Sequence, residues 1–191
     1  MLGCKLCSGP VVPTLEGRPD KESAIAVQLP YRRCRKCGLT FSDPVESDLI
    51  PTFYSAYTAH VEDVPETLRQ LKAHLRPGGM IYLRTPNGVS LLSGAFGRNW
   101  RGWETPRHLN ILTKAALNCA AEEASDMDIR MIGTSNDMRA GMFVGSMANL
   151  IPWQLPRRAA VLLVHVPMAW ALQFGRAIRS DSGEELVAVL G

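Results

Sequence analysis

The chain has 191 residues, 46% of them apolar, and a formal charge of +3. That length and apolar share exclude a disordered tail and allow one small module plus one modest domain with its own core. The small charge demands no polyanionic partner, and the longest apolar run, Ala159 to Phe174, falls short of the roughly 20 residues a spanning helix needs. No membrane partner is expected. No apolar signal segment precedes the first cysteine in MLGCKLC, so reduced thiols and a cytoplasmic location are expected for the five cysteines.

Cys4-Lys-Leu-Cys7 and Cys34-Arg-Lys-Cys37 are two C-x-x-C pairs separated by 26 residues, each followed closely by a glycine, Gly9 and Gly38. Two intervening residues let both sulfurs of a pair reach one ion, and two such turns complete a tetrahedron. A redox dithiol would need a strand-and-helix setting that is absent around either pair. The spacing therefore predicts a zinc ribbon over residues 1–45, with Cys4, Cys7, Cys34 and Cys37 as ligands. Ala24 to Leu29 and Tyr31 to Arg33, broken by Pro30, suit its short strands. So little apolar residue lies there that the metal, worth on the order of 10–16 kcal/mol in such modules, must supply the stability. Four protein ligands leave no open position, so the zinc is structural and not catalytic. Arg32, Arg33, Arg35 and Lys36 offset the thiolate charge. With Asp43, Glu46 and Asp48 close behind and no interleaved aromatics, they do not make a nucleic-acid surface.

Residues 46–62 read as a linker, punctuated by Pro51 and carrying Phe53 to Tyr57. Asp63 is placed to cap a helix, with Pro65 in the first turn and Glu66 completing a D-x-x-E capping box; Val64, Leu68, Leu71 and Leu75 form its buried stripe. Pro77-Gly78-Gly79 ends it, and Met80 to Thr85 reads as a largely buried strand. A second helix is expected from about Thr113 to Ala124, then a strand over Asp128 to Gly133. Leu155 to Arg179 reads as mainly helical with a break near Pro167, and Glu185 to Leu190 as a closing strand. The class is α/β.

Trp100, Trp103, Glu104, Arg107 and His108 form the densest aromatic and polar cluster, in a stretch without helical period. One reading makes it a pocket in which His108, whose ordinary pKa lies near neutrality, works with Glu104 in acid–base chemistry. The other has both tryptophans anchoring a loop while Arg107 and His108 bond backbone carbonyls. His74 at a helix end, His165 in the apolar run and Cys119 in mid-helix are accounted for by local packing.

HLRPGGMIYLRTPN at His74 to Asn87, FGRNWRGWETPRHLNILT at Phe96 to Thr113, and GEELVAVL at Gly183 to Leu190 resemble a class I S-adenosylmethionine-dependent methyltransferase. The subgroup resembled carries an N-terminal zinc-binding domain, and CRKCGLTFSDP at Cys34 to Pro44 is similar to its second knuckle. The resemblance implies a Rossmann-like sheet with flanking helices over residues 63–191, S-adenosylmethionine as cofactor, and Glu104 to His108 on the substrate side. It also implies a long segment between ribbon and first helix, with the glycine-rich cofactor loop. That segment is missing, and Pro77-Gly78-Gly79 follows a helix, the wrong polarity for such a loop. The sheet is thus expected to be truncated, no cofactor-binding residue is assigned, and methyl transfer is expected to be impaired in the isolated chain. A non-catalytic scaffold and one part of a split enzyme are the alternatives. With one flank gone, the Met80 to Thr85 strand is expected to present an open edge for self-association or a partner chain, unless Phe53 to Tyr57 folds across it.

Overall fold

The computed structural model describes residues 3–14, 30–42, 61–104, 108–124, 127–150 and 182–191. Ala24 to Leu29, Phe53 to Tyr57 and Leu155 to Arg179, for which elements or contacts were expected, lie outside the described residues, as do Arg107 and His165. Seven strands and four α-helices are described, in mixed α/β order.

Four short strands form an antiparallel sheet: β1 (Val11–Pro13), β2 (Tyr31–Cys34), β3 (Thr40–Ser42) and β5 (Asn110–Ile111), in that spatial order. The fourth comes from far along the chain, so the cysteine-bearing strands are hydrogen-bonded to the rest of the molecule. A second sheet has β7 (Glu185–Leu190) at its centre, antiparallel to both β4 (Ile81–Pro86) and β6 (Ile129–Ser135). The two outer strands are therefore parallel to each other.

Register decides what this second sheet buries. Ile81, Leu83 and Thr85 stand beside Leu190, Ala188 and Leu186, so alternation puts these six on one face. Helices α1 (Val64–Ala73) and α3 (Lys114–Glu123) cover that face. Val64 and Leu68 from α1 share a core with Ala116, Leu117, Ala120 and Ala121 from α3. The small alanines allow close approach of helix and sheet, and the same core takes in Leu39, Phe41, Cys4, Cys34 and Cys37.

Local chemistry sets the helix ends. The Asp63 carboxylate accepts the Glu66 N–H at 2.9 Å and Pro65 sits in the first turn, as the sequence predicts. Glu66 does not close the box; its carboxylate takes Gln70 at 3.0 Å and pairs with Arg69. Thr113 caps α3 through the Ala116 N–H at 3.1 Å. The predicted apolar stripe of α1 holds at Val64 and Leu68 but not at Leu71, which is 43% exposed. Leu71 overhangs the side of β4 that, among the described residues, no further strand occupies.

A second cluster, not foreseen from the sequence, is built by α2 (Leu91–Phe96) and α4 (Arg139–Leu150) around Trp100. Two 3-10 turns, Gly97–Asn99 and Arg101–Trp103, fold that tryptophan inward. Only glycine fits beneath it, because a Cβ at Gly102 would lie 2.3 Å from the ring. Glu184 fixes this cluster to β7: fully buried, it accepts the Leu92 N–H at 3.2 Å and lies 3.8 Å from Nε of buried Arg139. Burial pushes its carboxyl above the ordinary range, against the pull of Ser90, the Leu92 N–H and Arg139. No helix among the described residues is long and apolar enough to cross a membrane. Replacing Glu184 by alanine strands Arg139 and the Leu92 N–H in the interior; urea unfolding should show a loss of about 3 kcal/mol.

Candidate functional site

Two hairpin-like turns bring the four cysteines together. The first is closed by the Gly3–Pro10 bridge and by the Cys4 N–H donating to the Gly9 carbonyl at 2.9 Å. The second joins β2 to β3, with the Cys34 N–H on the Leu39 carbonyl at 2.8 Å. The four sulfurs lie within 4.8 Å of one another, with Cys4–Cys37 at 3.7 Å and Cys7–Cys34 at 3.5 Å. None is in a disulfide. Zn–S bonds of ~2.3 Å in a tetrahedron set sulfurs ~3.8 Å apart, so the cage fits a zinc ion and these residues could hold one.

The surroundings fit the same chemistry. The N–H groups of Lys36 and Cys37 point at the Cys34 sulfur from 3.3 and 3.5 Å. Burial opposes ionisation of Cys34, but those N–H groups together with hydrogen bonds from the Cys7 and Cys37 side chains outweigh it and bring the thiol down to about 7. Burial pushes the Cys4 and Cys37 thiols up. Cys119, half-buried on α3, is also pushed up by burial, which suits packing rather than nucleophilic work.

The two turns meet their backbone demands differently. The residue after the second cysteine is left-handed in both, Gly38 at φ 74° and Ser8 at φ 53°. Gly9 is not left-handed and serves a different purpose. A Cβ there would lie 2.8 Å from Lys36 Cβ, 3.1 Å from the Cys34 sulfur and 3.2 Å from that of Cys7.

Of the aromatic and polar cluster, Trp100, Trp103, Glu104 and His108 are among the described residues. Trp100 is core, whereas Trp103 packs on Tyr31 with ring centroids 4.9 Å apart. Glu104 holds Arg101 at 2.9 Å through one oxygen and His108 Nε2 at 3.3 Å through the other. The Tyr31 hydroxyl donates to the His108 carbonyl at 2.6 Å, tying this histidine to β2. Glu104 itself is left-handed, at φ 33° and ψ 47°. A non-glycine residue held there carries strain of about 1–3 kcal/mol. Nothing in the sequence signals that conformation. The Glu104 carboxylate orients the His108 ring through this contact.

His108 also borders a groove of about 290 Å³ between the edge of β4, residues 108–112 and α1. Thr67, Leu68 and Leu71 line it from α1, and Asn110 from β5.

Residues 48–125 match the family described as a methyltransferase domain. No curated protein and no solved structure matches the chain. The matched span holds the groove, Glu104 and His108, and leaves the four cysteines outside. S-adenosylmethionine, the donor such a domain implies, needs a glycine-rich turn leading from strand to helix. Among the described residues none exists: Gly78 and Gly79 join α1 to β4, helix to strand, and β4 reaches α2 through Gly88 alone. The described residues therefore do not fit that cofactor.

Two substitutions separate the roles of the adjacent turn residues. Gly9→Ala should weaken zinc retention at least about tenfold in a chelator competition. Ser8→Gly should leave it unchanged and raise stability by up to about 1 kcal/mol.

Proposed function

We propose that this chain is a methyltransferase-type protein with a structural zinc ribbon, in which Cys4, Cys7, Cys34 and Cys37 hold one zinc ion. Its second sheet is the truncated, far half of a Rossmann-like sheet. The match of residues 48–125 to a methyltransferase domain supports the family, and the β4–β7–β6 order with nothing described beyond β4 supports the truncation. Glu104 and His108 belong to the substrate side. When bound to a complete domain, S-adenosylmethionine supplies an electrophilic methyl group; the work of this chain's own residues would be to orient an acceptor along the groove and take its proton on the His108 ring, whose Nε2 faces the Glu104 carboxylate.

The single observation that supports impaired activity is the lack of a glycine-rich strand-to-helix turn among the described residues. On that ground the isolated chain does not transfer methyl groups, and its role is that of a scaffold or of one half of a split enzyme. Titration calorimetry with S-adenosylmethionine should give no heat of binding, and radiolabelled donor should leave no label on candidate acceptors. Micromolar affinity, or incorporation that disappears on His108→Ala, would reverse this reading. Metal analysis tests the ribbon separately: about one zinc per chain is expected in protein prepared without chelator.

A further inference from the structure

We infer that Arg101, seated in a notch of α4, is a positioning residue for His108: through Glu104 it holds the neutral ring as the Nε2–H tautomer, with the lone pair on Nδ1. This deepens the reading that His108 takes an acceptor's proton and rests on that reading for its use. Glycine inside a helix is less favourable than alanine, so a helical glycine asks for a reason. Gly145 of α4 has one. A Cβ there would lie 2.1 Å from Cδ of Arg101, 2.9 Å from its Cγ and 3.0 Å from its Nη1, so the arginine stem lies directly on the helix backbone. The Arg101 main chain is tied at the same place, because its N–H donates to the Ser146 hydroxyl at 2.8 Å. That hydroxyl donates in turn to the Met142 carbonyl at 2.7 Å, and Ser146 is fully buried. Gly141, one turn earlier, has nothing within 4 Å of such a Cβ and makes no notch.

From that seat the guanidinium reaches Glu104. Arg101 Nε lies 2.9 Å from Glu104 Oε1, and the Glu104 N–H donates to the Arg101 carbonyl at 3.1 Å, so one residue grips both ends of the glutamate. With its backbone left-handed and one oxygen taken, Glu104 turns the other, Oε2, to His108 Nε2 at 3.3 Å. Little water competes for the contact, since the Glu104 side chain is 12% exposed. The histidine's main chain is held separately, by the Tyr31 hydroxyl on its carbonyl at 2.6 Å. The ring and its partner are therefore fixed from different elements, β2 for one and α4 for the other.

The place of the ring proton follows. A carboxylate offers lone pairs and no proton, so a ring nitrogen facing one across 3.3 Å is the nitrogen that carries the hydrogen. A lone pair there would meet another lone pair. In a neutral imidazole the second nitrogen then holds the lone pair, which makes Nδ1 the base. The proton of an acceptor's O–H or N–H would pass to Nδ1, its bonding pair staying on the acceptor as the nucleophile, while the Nε2 hydrogen stays on Glu104. Arg101 acts at one remove: it fixes the carboxylate that decides which nitrogen is basic.

The test is nitrogen magnetic resonance of the full chain, prepared without chelator and isotope-labelled at histidine, at about pH 8.5, where an ordinary histidine is neutral. His108, identified by the signals that His108→Gln removes, should be almost wholly protonated on Nε2 and unprotonated on Nδ1. Arg101→Met removes the cation, and Gly145→Ala displaces the stem. Each should raise the share of the Nδ1–H form at least about fivefold, within what losing a hydrogen bond to a charged group allows. Gly141→Ala should leave that share unchanged, and Arg101→Lys should stay closer to the native value than Arg101→Met. Native amide protection in β7 reports that a variant folds; should Arg101→Met or Gly145→Ala not fold, the tautomer of the native chain still decides. A native ring protonated on Nδ1 overturns the inference, as does no effect of Arg101→Met, an equal effect at Gly141 and Gly145, or lysine faring no better than methionine. No methyl donor or acceptor takes part. Failure here would leave the methyltransferase reading untouched, and failure of that reading would leave the ring proton where it is.

Discussion

Four sulfurs packed within 4.8 Å of one another are the constraint on which this structure turns. Thiolates at that spacing repel unless a cation sits among them, and neutral thiols would leave buried polar groups poorly paired. The cage fixes the turn between β2 and β3, and from that turn the order spreads. The Cys37 carbonyl accepts the Thr113 hydroxyl at 2.6 Å, and the same oxygen caps α3. Alanines of α3 then seat against Leu186, Ala188 and Leu190 of β7. The four-cysteine cluster at one end is thus linked to the central strand of the second sheet through two hydrogen bonds and a helix.

The polar cluster is positioned from both directions. From β2, the Tyr31 hydroxyl donates to the His108 carbonyl. From the other side, Ser146 of α4 accepts the Arg101 N–H at 2.8 Å, and Arg101 in turn holds Glu104. The histidine therefore faces the β4 groove only while ribbon, α4 and sheet keep their places. Chemistry placed at such a junction is sensitive to distant packing, because a small shift in either body misplaces the pair.

Much of this was legible in residue spacing and some was not. The cysteine pairs announced the cluster, the Asp63 cap set one helix start, the second helix begins close to its expected start at Thr113, and the closing strand Glu185 to Leu190 falls where it is expected. Strands β4 and β6 sit one residue later at their start than predicted, since turn residues at their ends carry little pattern. Two helices carry little sequence signal: α2 has only six residues, and the 12-residue α4 carries two glycines in a mixed apolar run. The role of Gly9 depends on Lys36, a neighbour in space and not in sequence. Leu71 carries the plainest lesson: periodicity identifies the face that wants burial, but whether anything covers it is a property of the whole sheet.

The claim that the cage organises the molecule beyond its own strands can be tested by site-resolved hydrogen exchange before and after zinc is removed with a chelator. If the Thr113 link transmits the cage's order, protection at Asn110, Ile111 and the first turn of α3 falls together with that of residues 31–42, while β7 amides lose less. Loss confined to residues 3–42, with β5 and the start of α3 unchanged, would contradict the account and make the ribbon an independent module.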